Sequence, residues 1–155
     1  MRYTKADMLS LVQREFDELD QLVGGLRLGD WERPVPRSES FDPWSVKDAL
    51  AHIVHWKHLT ARRIRGLGRP PDERGLTIPD LNHQVFERWQ ERPPGDVQAW
   101  HREVHADVMA ALRARPEDWF TRREHGPDWL SDLHSHSAAH RRRDLEPALI
   151  PAARM

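Results

Sequence analysis

The sequence predicts an all-α fold, a four-helix bundle with a short extra helix in the long crossover connection. Three observations carry that prediction. Apolar residues recur at three- and four-residue spacing in four long segments. No segment alternates polar and apolar residues over strand length. Loops of roughly ten to twenty residues, rich in proline or glycine, separate the periodic segments. At 155 residues the chain has the size of one domain, which we assign to residues 1–150, with 151–155 as a tail. Bundles of this kind commonly place ligand or metal sites between facing helices.

The first helix opens at Thr4-Lys5-Ala6-Asp7, a capping-box-like start. Met8, Leu9, Val12, Phe16, Leu19, Leu22, Val23 and Leu26 give it about six turns of apolar stripe, loosened at Gly24-Gly25. Residues 28–43 carry three prolines and little periodicity, and read as a loop. Ser45-Val46-Lys47-Asp48 opens a second helix, which runs to about Gly66-Leu67-Gly68. The short extra helix lies around Leu81 to Trp89 and stops at Pro93-Pro94-Gly95. Val97, Trp100, Val104, Val108, Ala111 and Leu112 mark the next long helix, which ends before Pro116. Pro127 suits the first turn of the last helix, and Asp128, Trp129, Leu130 and Leu133 continue it toward Pro147.

Composition narrows the function. Twenty-four Lys+Arg against twenty-five Asp+Glu set up no strong field for nucleic acid or an anionic membrane, so neither is expected as a partner. The N-terminus lacks a signal-peptide core and no apolar run approaches the roughly 18 residues of a membrane span, which predicts a cytoplasmic protein. The chain has no cysteine. Disulfides, thiolate ligands and a cysteine nucleophile are thereby excluded, and ten histidines are the obvious chemical resource.

At about 100° per residue, His136 and His140 lie one turn apart on one face, whereas His134 points nearly opposite to His136. The pair shares its stripe with Trp129, Leu133, Ser137 and Asp144, which favours an inward or cleft-facing position. Asp144, one turn beyond His140, is placed to accept from its imidazole. With ten histidines in the chain, one His-x-x-x-His pair is an ordinary coincidence, and a second pair, His101 and His105, flanks the apolar stripe of its own helix. A third ligand would carry more weight, because catalytic sites for zinc-like ions use three protein ligands and leave one position open. His52, beside Ala49, Trp56 and Leu59 at the margin of an apolar arc, is the best candidate; a hydrogen-bonded histidine at the core edge is its other reading. His55 and His58 fall on the polar side of that helix and are expected in solvent. Trp56 and Trp129 share faces with His52 and with the pair, where they either fill the core or wall an apolar pocket.

W-S-V-K-D-A-L-A-H-I-V-H-W and H-S-A-A-H-R-R-R-D-L resemble the two signature segments of the DinB-like four-helix bundle superfamily. The middle, L-N-H-Q-V-F-E-R-W-Q-E-R-P-P-G-D-V-Q-A-W-H-R-E-V-H, is most similar to the ClbS/DfsB-like branch. The resemblance implies a divalent-metal site, commonly zinc or nickel, on His52, His136 and His140, with Asn82 lining the pocket or capping a helix. It also implies a small-molecule substrate, a low-molecular-weight thiol as cosubstrate, and a fold compatible with a homodimer. The activity expected is that of a thiol S-transferase or hydrolase acting on an electrophilic molecule. Two alternatives stand beside it: a ClbS-like detoxifying hydrolase or sequestering protein that works without metal, and a non-enzymatic ligand-binding bundle.

Overall fold

The computed structural model describes residues 3–36, 40–122, 125 and 129–149, so the predicted tail at 151–155 and the helix start at Pro127-Asp128 lie outside the described residues. The long helices are α1 (Lys5–Gly24), α2 (Val46–Ile64) and α4 (Pro94–Arg113), with α3 (Ile78–Trp89) as the extra helix between α2 and α4. A short α5 (Glu117–Phe120) precedes the last helical stretch, whose α-helical part is α6 (Ser135–His140). Among the described residues the one β-type pairing is an isolated antiparallel bridge between Pro34 and Ser45.

The helix starts follow from local chemistry. Thr4, Ser45 and Thr77 cap α1, α2 and α3, each side-chain oxygen accepting from the backbone N–H three residues on. At α2 the cap is reciprocal, with Asp48 accepting from the Ser45 N–H at 2.8 Å. The ends are closed by cations drawn to orphaned carbonyls. Lys47 Nζ reaches the carbonyls of Trp89, Gln90 and Arg92 at the end of α3, Lys5 Nζ reaches those of Arg113 and Arg115 at the end of α4, and Arg115 donates twice to Ile64 O at the end of α2. The turn after α2 needs Gly66 at φ 79°: Leu67 N–H bonds Arg62 O and Gly66 N–H bonds Arg63 O, the paired closure that only a left-handed residue permits.

α2 is the central element. It packs against α3, α4 and α6, while α1 packs on α4 and α6. Leu50, Ile53 and Ile64 of α2 join Leu19, Leu81, Leu112, Leu133 and Leu145 in one core. Before α2, the Pro34–Ser45 bridge with Val35 N–H to Trp44 O (3.0 Å) and Val46 N–H to Arg33 O (2.9 Å) pins the chain and buries Trp44 against the bundle.

Besides the unpredicted short turns Pro71–Glu73 and Glu117–Phe120, the structure departs from the predicted elements in the loop before α2 and in the last helix. The loop predicted at 28–43 contains a 3-10 turn, Leu28–Glu32, that buries Trp31. The last helix is segmented: a 3-10 turn at Ser131–Leu133, α6, a π-helical turn at Arg141–Leu145 and a final α turn at Glu146–Ala148. Apolar spacing cannot announce a π turn, because the extra residue per turn is held by tertiary contacts and such turns cluster at functional sites.

Candidate metal centre

His52 sits one turn after Asp48, the residue of α2 that pairs with the cap Ser45, with Trp56 one turn further on. The last helical stretch carries Asp132, His136, His140 and Asp144, each four residues from the next. These four form a ladder. Asp132 Oδ1 lies 2.8 Å from His136 Nδ1, His136 Nε2 lies 3.1 Å from His140 Nε2, and His140 Nδ1 lies 2.6 Å from Asp144 Oδ2. His52 closes the group from α2, its ring centroid 4.8 Å from that of His140 and 5.8 Å from that of His136. One ligand atom from each of the three histidines can be chosen so that all lie within 4.8 Å of one another.

The carboxylates decide which nitrogen does what. An ionised carboxylate only accepts, so Asp132 and Asp144 hold the N–H form at Nδ1 of His136 and His140 and leave each Nε2 lone pair facing inward. Two lone pairs 3.1 Å apart repel unless a proton or a cation stands between them. Two nitrogens on one tetrahedral zinc, each bonded at about 2.0–2.1 Å, stand about 3.3–3.4 Å apart. The donor set, three imidazoles with two oriented by carboxylates, therefore fits a divalent ion of the zinc type.

The surroundings are uneven. His52 and His140 are fully buried, while the His136 side chain keeps 27% of its surface exposed. Trp44 lies against His52 at 4.6 Å between ring centroids and 6.3 Å from His140. Trp56 meets His52 edge-on at 6.3 Å and donates its Nε1–H to Asn82 Oδ1 at 3.1 Å, so two of the three expected pocket residues are bonded to each other, with Trp56 beside His52. The third does not join them. Trp129 stacks on His125 at 4.0 Å, meets Trp119 edge-on and lies under the Arg63 guanidinium. A cleft of about 280 Å³ opens between Trp56 and Asp132, with Thr60 between them and Arg63 and Arg69 also lining it.

Sequence reasoning missed Asp132 and Trp44. Asp132 repeats, upstream of His136, the four-residue step that singles out Asp144, but it lies in a 3-10 turn where helical spacing has no force. Trp44 is the apolar residue before the cap Ser45, a recognised position for anchoring a helix start. The expectation of a solvated His55 is corrected: it is fully buried, with Nε2 2.5 Å from Glu73 Oε1. Burial first, then Arg88, lowers its pKa to about 3. The physical reason is that α2 lies at the centre, so even its polar face is covered by a connection anchored through Glu73. His58 is partly exposed and its pKa is lowered, chiefly by burial. His101 and His105 both stack on Phe16, and burial followed by the Lys57 charge lowers them to about 3 and about 4.

The profile of the mycothiol maleylpyruvate isomerase N-terminal domain matches residues 12–146. No curated protein matches this chain in sequence. Solved structures share the fold, two of them over nearly the whole chain. One is an uncharacterised protein from Escherichia coli UTI89, with TM-score 0.69 and 16% identity over 90% of this chain and 92% of its own. The other is the colibactin self-resistance protein ClbS in complex with a double-stranded DNA, with TM-score 0.71 and 11% identity over 95% of this chain and 98% of its own. The resemblance to the DinB-like superfamily holds, and the likeness to ClbS holds at the level of the fold. The exclusion of nucleic acid does not: a protein of this fold is seen with DNA. Net charge sums over the whole surface, whereas phosphates are met by local clusters of basic residues, so a near-neutral total does not exclude them.

Proposed function

This chain belongs to the mycothiol maleylpyruvate isomerase N-terminal domain family, and from that premise we propose that it is a metal-dependent enzyme in which His52, His136 and His140 hold one divalent ion, zinc or nickel. The site directs water or a low-molecular-weight thiol at an electrophilic small molecule. The observation that carries this reading is the convergence of the three imidazoles within 4.8 Å, two of them backed by a carboxylate at Nδ1. A divalent ion bound there supplies Lewis acidity, lowering the pKa of a water or thiol to produce a nucleophile at neutral pH.

The chain's own residues do the rest. Asp132 and Asp144 fix the tautomers, so no reorganisation of the imidazoles is needed when the donors are used. Trp44 keeps water from the buried side of His52 and His140, and the exposed edge of His136 marks the side on which a substrate arrives. The cleft between Trp56 and Asp132 offers one apolar wall, and Arg63 and Arg69 draw a negatively charged group toward it. Because the protein has no cysteine, a thiol takes part only as a second substrate.

A second reading rests on the same ladder. An imidazole oriented by a carboxylate is a general base in its own right, and the metal-independent hydrolase that the resemblance to the ClbS/DfsB-like branch leaves open needs no more than that. Turnover of a small electrophile, with and without added thiol, separates the two. Activity abolished by chelation, restored by zinc or nickel and lost in His52→Ala supports the metal reading. Equal turnover in thoroughly stripped protein supports the second.

A further inference from the structure

We propose that Glu15 of α1 is a positioning residue that sets the rotational register of the helix carrying His136 and His140. The buried stripe of α1 reads Met8, Val12, Glu15, Leu19, Val23; a carboxylate occupies a place where an apolar side chain would serve stability better. Its partners explain the choice. Ser137 Oγ donates to Glu15 Oε2 at 2.9 Å. Arg141 donates to Glu15 from Nε at 3.2 and 3.3 Å and from Nη2 at 2.7 Å. Ser137 and Arg141 are the residues immediately after His136 and His140.

Consecutive helical residues project about 100° apart, so when Ser137 and Arg141 are held to α1, His136 and His140 are turned toward His52 on α2. A slip that released Glu15 would swing both imidazoles off His52 together. Arg141 also opens the π-helical turn and reaches Glu146 at 3.0 Å, so the same anchor lies at the start of the segment that carries Asp144 to His140. From α2, the buried Lys57 ammonium is stabilised by the Glu15 charge and opposed by that of Arg141, which makes Glu15 the carboxylate at a junction of α1, α2 and the last helix. The effect on metal binding rests on the metal reading above; the effect on imidazole orientation does not.

The test uses the full chain, cobalt(II) as the probe ion, and Val108→Ala as a core truncation away from the ladder. Glu15→Gln is expected to weaken cobalt binding about 10-fold or more and to alter the visible spectrum of the bound ion, while Val108→Ala leaves both unchanged. If Glu15→Gln does not fold, Ser137→Ala, which removes one anchor only, is expected to weaken binding several-fold. In metal-free protein, the downfield NMR signals of the Nδ1–H protons of His136 and His140 are expected to move or broaden in Glu15→Gln or Ser137→Ala and to persist in Val108→Ala. Wild-type protein that takes up no cobalt defeats the metal reading, and the proton signals then decide the positioning role. Unchanged affinity and signals in the Glu15 and Ser137 variants, or equal losses in Val108→Ala, would overturn it.

Discussion

An imidazole offers one lone pair, and the group bound to its other nitrogen decides which one. Asp144 at 2.6 Å and Asp132 at 2.8 Å make that decision for His140 and His136. Asp144→Asn and Asp132→Asn are therefore expected to weaken zinc binding by about 10- to 100-fold each, read by competition with a chromogenic chelator; full affinity in both would mean that the carboxylates do not prepare the donors. At this scale much of the candidate site is legible in the sequence. The four-residue step from His136 to His140 to Asp144 places them on one helix face, and His52 stands at the edge of an apolar arc. Asp132 and Trp44 are illegible for a common reason: both lie just outside regular helix, where position follows from how the chain enters the element. His55 misleads for another reason, since a neighbouring connection anchored through Glu73 covers the part of the polar face of α2 on which it lies.

At the scale of the element, two of the helix caps and the glycine that ends α2 are read from sequence because their causes are local, whereas the Thr77 cap of α3 is missed. Thr4 and Ser45 announce helix starts, and Gly66 ends α2 in a left-handed turn. Two glycine substitutions should then have opposite signs. Gly66→Ala forces a Cβ into φ 79° and is expected to cost about 1–2 kcal/mol. Gly95→Ala, in the first turn of α4 with nothing within 4 Å of the added Cβ, is expected to stabilise by about 0.4–1 kcal/mol through the unfolded chain. Urea midpoints of the two variants against wild type check the pair, and the same sign for both would contradict the assigned backbone. The π-helical turn has no local cause. Arg141 is held by Glu15, 126 positions away in sequence, and no window along the chain contains both residues.

Across the whole molecule, charge is what the sequence reading judged too coarsely. A near-neutral total says nothing about where charges sit, and several sit inside. Lys57 is buried, and the loss of water first of all lowers its pKa from 10.5 to about 8. At pH 7 it is held charged at a cost, so Lys57→Met is expected to raise stability by about 1–3 kcal/mol, seen as a higher Tm; a fall in Tm would mean that Glu15 compensates the ammonium fully. His101 and His105 titrate in the folded protein near pH 3 and 4, against 6.5 when unfolded. The unfolded chain then binds more protons between those values, so their contribution is complete above pH 6.5 and is lost as pH falls toward 4. Lys57 on α2 and Asp20 on α1 act on His101 in opposite directions, the first depressing its pKa and the second raising it. Denaturant titrations from pH 7 to pH 4 should show the decline, and His101→Leu should flatten it; an identical slope in the variant would assign the acid sensitivity elsewhere.

The most direct measurement is a metal count by elemental analysis on tag-free protein, as isolated and after exposure to zinc or nickel followed by desalting, with His136→Ala alongside. The three-histidine centre predicts about one ion per chain in the wild type and none retained in the variant. No retained metal in the wild type under any loading, or equal retention in both proteins, would contradict it.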